Sequence, residues 1–193
     1  MNVPLNLHMD KPAFLTWVQG REQRYELAGS HVVMMTGGSR GHAIVTRRLA
    51  NALEQRLDQS RWAVLTSDFG VDLGPSTIRY PDVVVDVAGG QLKDLTATAP
   101  ILIGEVLSPT SATDDLGEKA KEYLGLESLC AYLVFAQDEA KVWVWLRGEA
   151  GFSTPPEALA HPNAVIHIAA LGISLPLSEI YPHLKSDVPR RSE

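Results

Sequence analysis

"APILIGEVLSPTSATDDLGEKAKEY", residues 99–123, decides how the rest of the chain is read. Ile101, Leu102, Ile103, Val106 and Leu107 form the short apolar run of a buried strand, yet Glu105 stands among them. A carboxylate in such a strand is costly, so it keeps a compensating partner or loses its charge. Upstream, "IRYPDVVVDVA" (78–88) is a second, strongly β-branched run, read as one strand. Period-two alternation puts Ile78, Tyr80, Asp82, Val84 and Asp86 on one of its faces. In the later strand Ile101, Ile103, Glu105 and Leu107 share a face. Pro81 removes a ladder donor, so the first strand starts, bulges or bends there, where Asp82 sits. If the strands are neighbours, Asp82 and Glu105 converge, and two close carboxylates need a proton or a cation between them.

The spacing predicts a helix over about 112–125, with Ser111 and Asp114 in a capping-box-like spacing at its start. Leu116, Ala120, Tyr123 and Leu124 form the arc that faces the sheet. Lys119 borders that arc, whereas Lys121 points towards solvent. Asp115, four residues before Lys119, is placed to guide it inward. Two carboxylates and a lysine suit metal-assisted phosphodiester hydrolysis. Asp82 and Glu105 would hold Mg²⁺ or Mn²⁺, and Lys119 would orient water or stabilise developing charge. Each group also has a plainer role open to it. Asp82 could satisfy a turn, Glu105 could pair with an arginine such as Arg79, and Lys119 could sit at the surface with Asp115.

The 193 residues, 45% of them hydrophobic, suit one compact domain. Seventeen basic against 23 acidic residues, a formal charge of −6, are wrong for nonspecific coating of nucleic acid. The N-terminus has no apolar run of a secretory signal, and no stretch approaches a membrane span. The lone Cys130, in an apolar run, is expected to be inert packing in a reduced, cytoplasmic compartment.

Residues 11–20 read as a short helix, "RYELAGSHVVMM" as two strands about a turn, and 42–57 as a long helix after the loop "TGGSRG". "RWAVLTSDFGVDLG" suggests a strand and a turn-rich connection. "CAYLVFA" and "KVWVWLRG" form a hairpin through "QDEA", followed by "AVIHIAAL" and "ISLPLSEIY". This order predicts an α/β or α+β domain with a central mixed sheet flanked by helices. It spans 1–193, with a core of about 11–183 and a disordered tail over 184–193.

The run "RYELAGSHVVMM…GGSRGHAIV…LANAL", then "SDFGVDLG", "IRYPDVVV" and "GEVLSPTS…DDLGEKAKEYLGLESLCAYLVF", resembles the Uma2 family, formerly DUF820. The likeness covers roughly residues 11–147, and "ALGISLPLSEIY" is similar to the family's C-terminal segment. The resemblance implies a restriction-endonuclease-like core of the PD-(D/E)XK nuclease superfamily. It matches Asp82 and Glu105 to the two acidic positions. The superfamily lysine two residues after the second acid is replaced here by Leu107, and Lys119 on the next helix stands in for it. Glu26 in "YEL" matches an acid that would complete a metal shell, and Asp68 a common acid without an assigned role.

His42 corresponds to a frequent family histidine that would touch phosphate, carry a proton or pack beside the glycine loop. Arg47, Arg48 and Arg56 would face a phosphate backbone or solvent, and Trp143 and Trp145, sharing a face, would stack on bases or pack in a core or dimer. The expectation is a divalent-metal-dependent endonuclease acting on nucleic acid, DNA first, as a homodimer, with Asp115, Tyr123 and His42 in support. The alternative is a binding module for nucleic acid or protein on the same fold.

Overall fold

The computed structural model describes residues 3–97, 99–108 and 115–182. In chain order these are β1 (Val3–His8), α1 (Lys11–Val18), β2 (Tyr25–Ala28), β3 (His31–Met34) and α2 (Arg40–Glu54). Next come β4 (Trp62–Thr66), β5 (Gly70–Leu73), β6 (Thr77–Arg79), β7 (Val83–Val87), β8 (Thr96–Ala97) and β9 (Leu102–Val106). Then follow α3 (Glu118–Leu124), β10 (Ala131–Phe135), β11 (Val142–Gly148), β12 (Gly151–Phe152), β13 (Glu157–Leu159), β14 (Val165–Ile168), β15 (Ile173–Pro176) and α4 (Leu177–Ile180). The expected capping pair Ser111 and Asp114, and the tail 184–193, lie outside the described residues.

The run 78–88 is two strands rather than one. β6 belongs to a six-stranded sheet ordered β1-β3-β2-β6-β5-β8, and β7 to a mixed seven-stranded sheet. The chain changes sheets at Tyr80–Asp82, where Pro81 has no N–H to continue a ladder. Ile78 and Val84 therefore line different cores. β1, absent from the reading of the sequence, extends the six-stranded sheet by pairing with β3.

In the larger sheet β7 and β9 are antiparallel neighbours with Val83 opposite Gly104, so Asp82 and Glu105 meet as the alternation requires. β10 runs parallel to β9 and sets Val134 beside Glu105. On one face Val83, Val85, Leu102 and Val106 pack under Val45, Leu49 and Leu53 of α2. On the other, Val84 and Ile103 pack with Ala120 and Tyr123 of α3 and with Tyr132 and Trp145. A Cβ on Gly104 would stand 2.6 Å from Leu49 Cδ2, so the glycine lets α2 lie close over β9. Trp145 is buried, its ring centroid 5.2 Å from that of Tyr132, and Trp143 packs at the margin of the same core. That is the core-packing role among those open to the tryptophan pair.

β14, β15 and α4 complete the α2 side. Arg56 bonds the Ser174 carbonyl (2.8 Å) and the Glu179 carboxylate (2.6 Å), and Arg48 donates to the Glu179 carbonyl (3.2 Å). These two arginines tie the long helix to the C-terminal segment. Arg47 stays exposed beside them. Cys130 is buried, and burial pushes its thiol up to about 11, which keeps it protonated and inert.

Candidate active site

The site forms where the chain leaves one sheet for the other. Asp82, at the break before β7, accepts the Val106 N–H at 2.8 Å through Oδ2 and offers its own N–H to Glu105 Oε2 at 3.4 Å. The two carboxylates are thus cross-linked through backbone on adjacent strands. Tyr123 OH donates to Glu105 Oε1 at 3.2 Å, and Lys119 Nζ lies 3.3 Å from the same oxygen and 3.0 Å from Asp115 Oδ1. Lys119 does reach inward, as the Asp115 spacing implied. It is 5% exposed, whereas Lys121 faces solvent.

The third wall comes from α2. Ser39 caps that helix, its Oγ accepting from His42 N–H at 3.1 Å. Gly38 passes so close that a Cβ there would fall 2.7 Å from His42 Nδ1. So fixed, His42 sets Nε2 3.1 Å from Asp82 Oδ2. Burial acts to lower the imidazole's pKa, but the hydrogen bond and charge of Asp82 outweigh it and the pKa is raised.

Burial raises the pKa of Glu105 well above the ordinary range, against the opposing pull of Lys119 and with the help of Asp115, Asp82 and Glu26. Burial works against the Lys119 ammonium, yet Glu105 and Asp115 hold its pKa above the usual lysine value. Lys119 is therefore a permanent cation, able to donate and to stabilise charge, and not a general base.

Glu26, buried beside the pair, adds its charge to those acting on Glu105. It is buried against Arg79 at 2.8 Å, and Arg79 turns its other edge to Glu122 at 2.8 and 3.0 Å. Arg79, offered by the sequence as a partner for Glu105, is thus engaged elsewhere. Glu122 was missed. Its signal was the buried arginine itself: Arg79 within an apolar strand needs anions, and Glu122 stands one turn beyond Lys119 on α3.

The fold and site have counterparts. A family model described as "Putative restriction endonuclease", Uma2, matches residues 12–178. The chain belongs to the Uma2 family. Two uncharacterized proteins of Synechocystis sp. are similar to this Uma2 chain. One, slr1290, is 26% identical over 72% of the chain and 74% of its own length; the other, sll1609, is 27% identical over 63% and 72%. A crystal structure of a "putative nuclease belonging to DUF820" from Anabaena variabilis superposes with a TM-score of 0.73. It covers 90% of this chain and 98% of that one at 14% identity, which shows a shared fold.

Among the described residues, no three or more His, Cys, Asp or Glu side chains converge as a ready-made metal cage, and no helix is long and apolar enough to cross a membrane. The donor set nevertheless fits a hard divalent cation. Around Glu105 the carboxylates of Asp82, Asp115 and Glu26 add negative charge, and Lys119 is the fixed cation in contact with it. Asp82 Oδ1 and Glu105 Oε2 are the least engaged oxygens of the pair. Mg²⁺ ordinarily takes one or two protein carboxylates and completes its shell with water and substrate phosphate.

Proposed function

We propose that this Uma2 protein is a divalent-metal-dependent nuclease that hydrolyses phosphodiester bonds of nucleic acid, DNA in the first instance. The observation that carries this reading is the convergence of Asp82 and Glu105 beside a buried, permanently charged Lys119 in a locality rich in negative charge. When bound there by Asp82 and Glu105, Mg²⁺ or Mn²⁺ would polarise the phosphoryl group and lower the pKa of water. Lys119 directs its ammonium at the scissile group, where charge accumulates as the phosphorus becomes five-coordinate. Asp115 and Tyr123 fix the positions of Lys119 and Glu105. His42 orients the Asp82 carboxylate and, with a raised proton affinity, is suited to carry a proton. Cutting both strands of a duplex would need two such sites, hence a pair of chains.

The test is calorimetric titration of Mn²⁺ into wild-type protein, Asp82→Ala, Glu105→Ala and Lys121→Ala, each checked for folding by circular dichroism. Saturable binding by wild type and Lys121→Ala, lost in both carboxylate variants, is expected. Binding that survives both carboxylate substitutions would overturn the assignment.

A further inference from the structure

Beside the carboxylate pair lies a cavity of about 200 Å³, between the segment that follows α1 and the turn that follows β4. Tyr25 and Tyr80 supply aromatic wall, and Gln23, Arg24, Ser67 and Asp68 supply polar groups. Three links attach it to the site. Tyr80 is two residues ahead of Asp82, Ser67 N–H donates to the Asp82 carbonyl at 3.3 Å, and Arg24 is near enough to His42 for its charge to oppose imidazolium formation. Its volume is below the roughly 300–1,000 Å³ of sites for drug-sized ligands, so it suits a single ring system.

The polarity of the cavity selects among occupants. Arg24 and Asp68 line the same small space without forming an ion pair with each other or with any other described residue. The side chains of Gln23 and Tyr80 likewise form no hydrogen bond among the described residues. A free phosphate would meet Arg24 favourably but Asp68 unfavourably. A nucleobase offers what both require: donor and acceptor groups side by side on one edge, and a flat π-face for a tyrosine. Arg21 at the rim is already stacked over Trp17, 4.2 Å from its ring centroid, and bonded to the Trp17 carbonyl, which steadies that wall.

We propose that this cavity seats one unstacked base of the nucleic-acid strand whose neighbouring phosphate lies at Asp82 and Glu105. Tyr80 packs on the base, Asp68 accepts from its exocyclic amino group, and Arg24 donates to the adjacent ring acceptor. Bases that set an exocyclic amino group beside a ring acceptor on the pairing edge, adenine and cytosine, are therefore preferred to thymine. The inference deepens the nuclease reading and rests on it for the identity of the strand.

The experiment uses the full chain, ¹⁵N-labelled, in EDTA, titrated with dAMP, dCMP, dTMP and the base-free probe deoxyribose 5-phosphate. Expected are chemical-shift changes at Gln23–Tyr25 and Ser67–Asp68, with dAMP and dCMP binding at least about five-fold more tightly than the base-free probe. Tyr80→Ala should remove that difference. Should Tyr80→Ala fail to fold, Asp68→Asn, at an exposed position, decides: it should abolish the preference for dCMP over dTMP. Equal binding of nucleotide and base-free phosphate, shifts confined to other surfaces, or no nucleotide binding would each overturn the proposal. Because these titrations hold no metal, they are separable from the Mn²⁺ result. Nucleotide seating without Mn²⁺ binding supports the pocket and overturns the nuclease reading, and the converse overturns the pocket alone.

Discussion

Two clusters of buried charge lie side by side, and they are built on opposite principles. In one, Arg79 stands between Glu26 and Glu122, its donors directed at both carboxylates and tying the six-stranded sheet to α3. In the other, Glu105 and Asp115 share the ammonium of Lys119, while among the described residues the Asp82 carboxylate has His42 and a backbone N–H. The first cluster uses a guanidinium whose planar fork matches two carboxylates, the arrangement for a permanent clamp. The second uses a compact point charge held between Glu105 and Asp115, with His42 on Asp82. Each cluster holds more carboxylates than fixed cations, but the first is closed by guanidinium donors on both of its carboxylates, whereas Asp82 Oδ1 and Glu105 Oε2 in the second are the oxygens left open to a further cation.

The contrast breaks most visibly at Arg79. Arg79→Met removes the cation from buried Glu26 and should cost about 3–5 kcal/mol, as severed buried pairs do. Urea denaturation measures this, with an unchanged slope showing that compactness is retained. Mn²⁺ binding by the protein still folded should persist, because Arg79 does not touch Asp82 or Glu105. A cost below about 1 kcal/mol would mean that the first cluster is no clamp.

Glu105 tests the other side, with the opposite sign. Its pKa is raised by burial, so the native state binds this proton more tightly than the unfolded chain does. In EDTA the ionised carboxylate therefore weakens the fold increasingly as pH rises above the ordinary glutamate range near ~4.3. Glu105→Gln keeps the shape and leaves Lys119 its partner Asp115. It should stabilise the metal-free protein by about 1 kcal/mol or more at neutral pH, within the range seen when buried charges are neutralised. The gain should shrink towards acid pH, as thermal melts across pH would show, and the same variant should lose Mn²⁺. A destabilised Glu105→Gln in EDTA would place Glu105 with the structural cluster.

Much of the candidate site's geometry was legible because its signals were local. Glu105 in an apolar strand, Pro81 beside Asp82, and the four-residue step from Asp115 to Lys119 each stand within one element or its border, and the structure joins all of them. What stayed hidden depends on which sheet a strand enters. Alternation is blind to a change of sheet, so 78–88 read as one strand, although Pro81 marked the crossing point. The Arg79–Glu122 contact spans 43 residues between elements whose packing periodicity does not specify. The pairing of Glu26 with Arg79, 53 residues apart, is likewise invisible to local pattern, and the family resemblance alone marked Glu26 as a metal-shell acid. Gly104, an unexceptional glycine in a strand, acquires meaning only once Leu49 of α2 is seen above it. β1 alternates Val3, Leu5 and Leu7 in "VPLNLH", but Pro4 within the run argues against a strand until β3 is there to pair with it.

The smallest effect sharpens the comparison within a single helix. Lys119 and Lys121 are two residues apart on α3 and differ in everything but chemistry: one is buried between two carboxylates, the other is exposed. Lys121→Ala should change stability by less than about 0.5 kcal/mol, the usual range for a surface substitution. Lys119→Met should cost about 3–5 kcal/mol, because it strips a buried cation from Glu105 and Asp115 together. Added Mn²⁺ should then restore more stability to folded Lys119→Met than to Lys121→Ala, since the cation would meet an even larger charge deficit. Thermal melts with and without Mn²⁺ read both quantities. Equal Mn²⁺ responses in the two variants would mean that the charge imbalance around Glu105 is not what draws a metal, and the distinction between the two clusters would then be one of geometry alone.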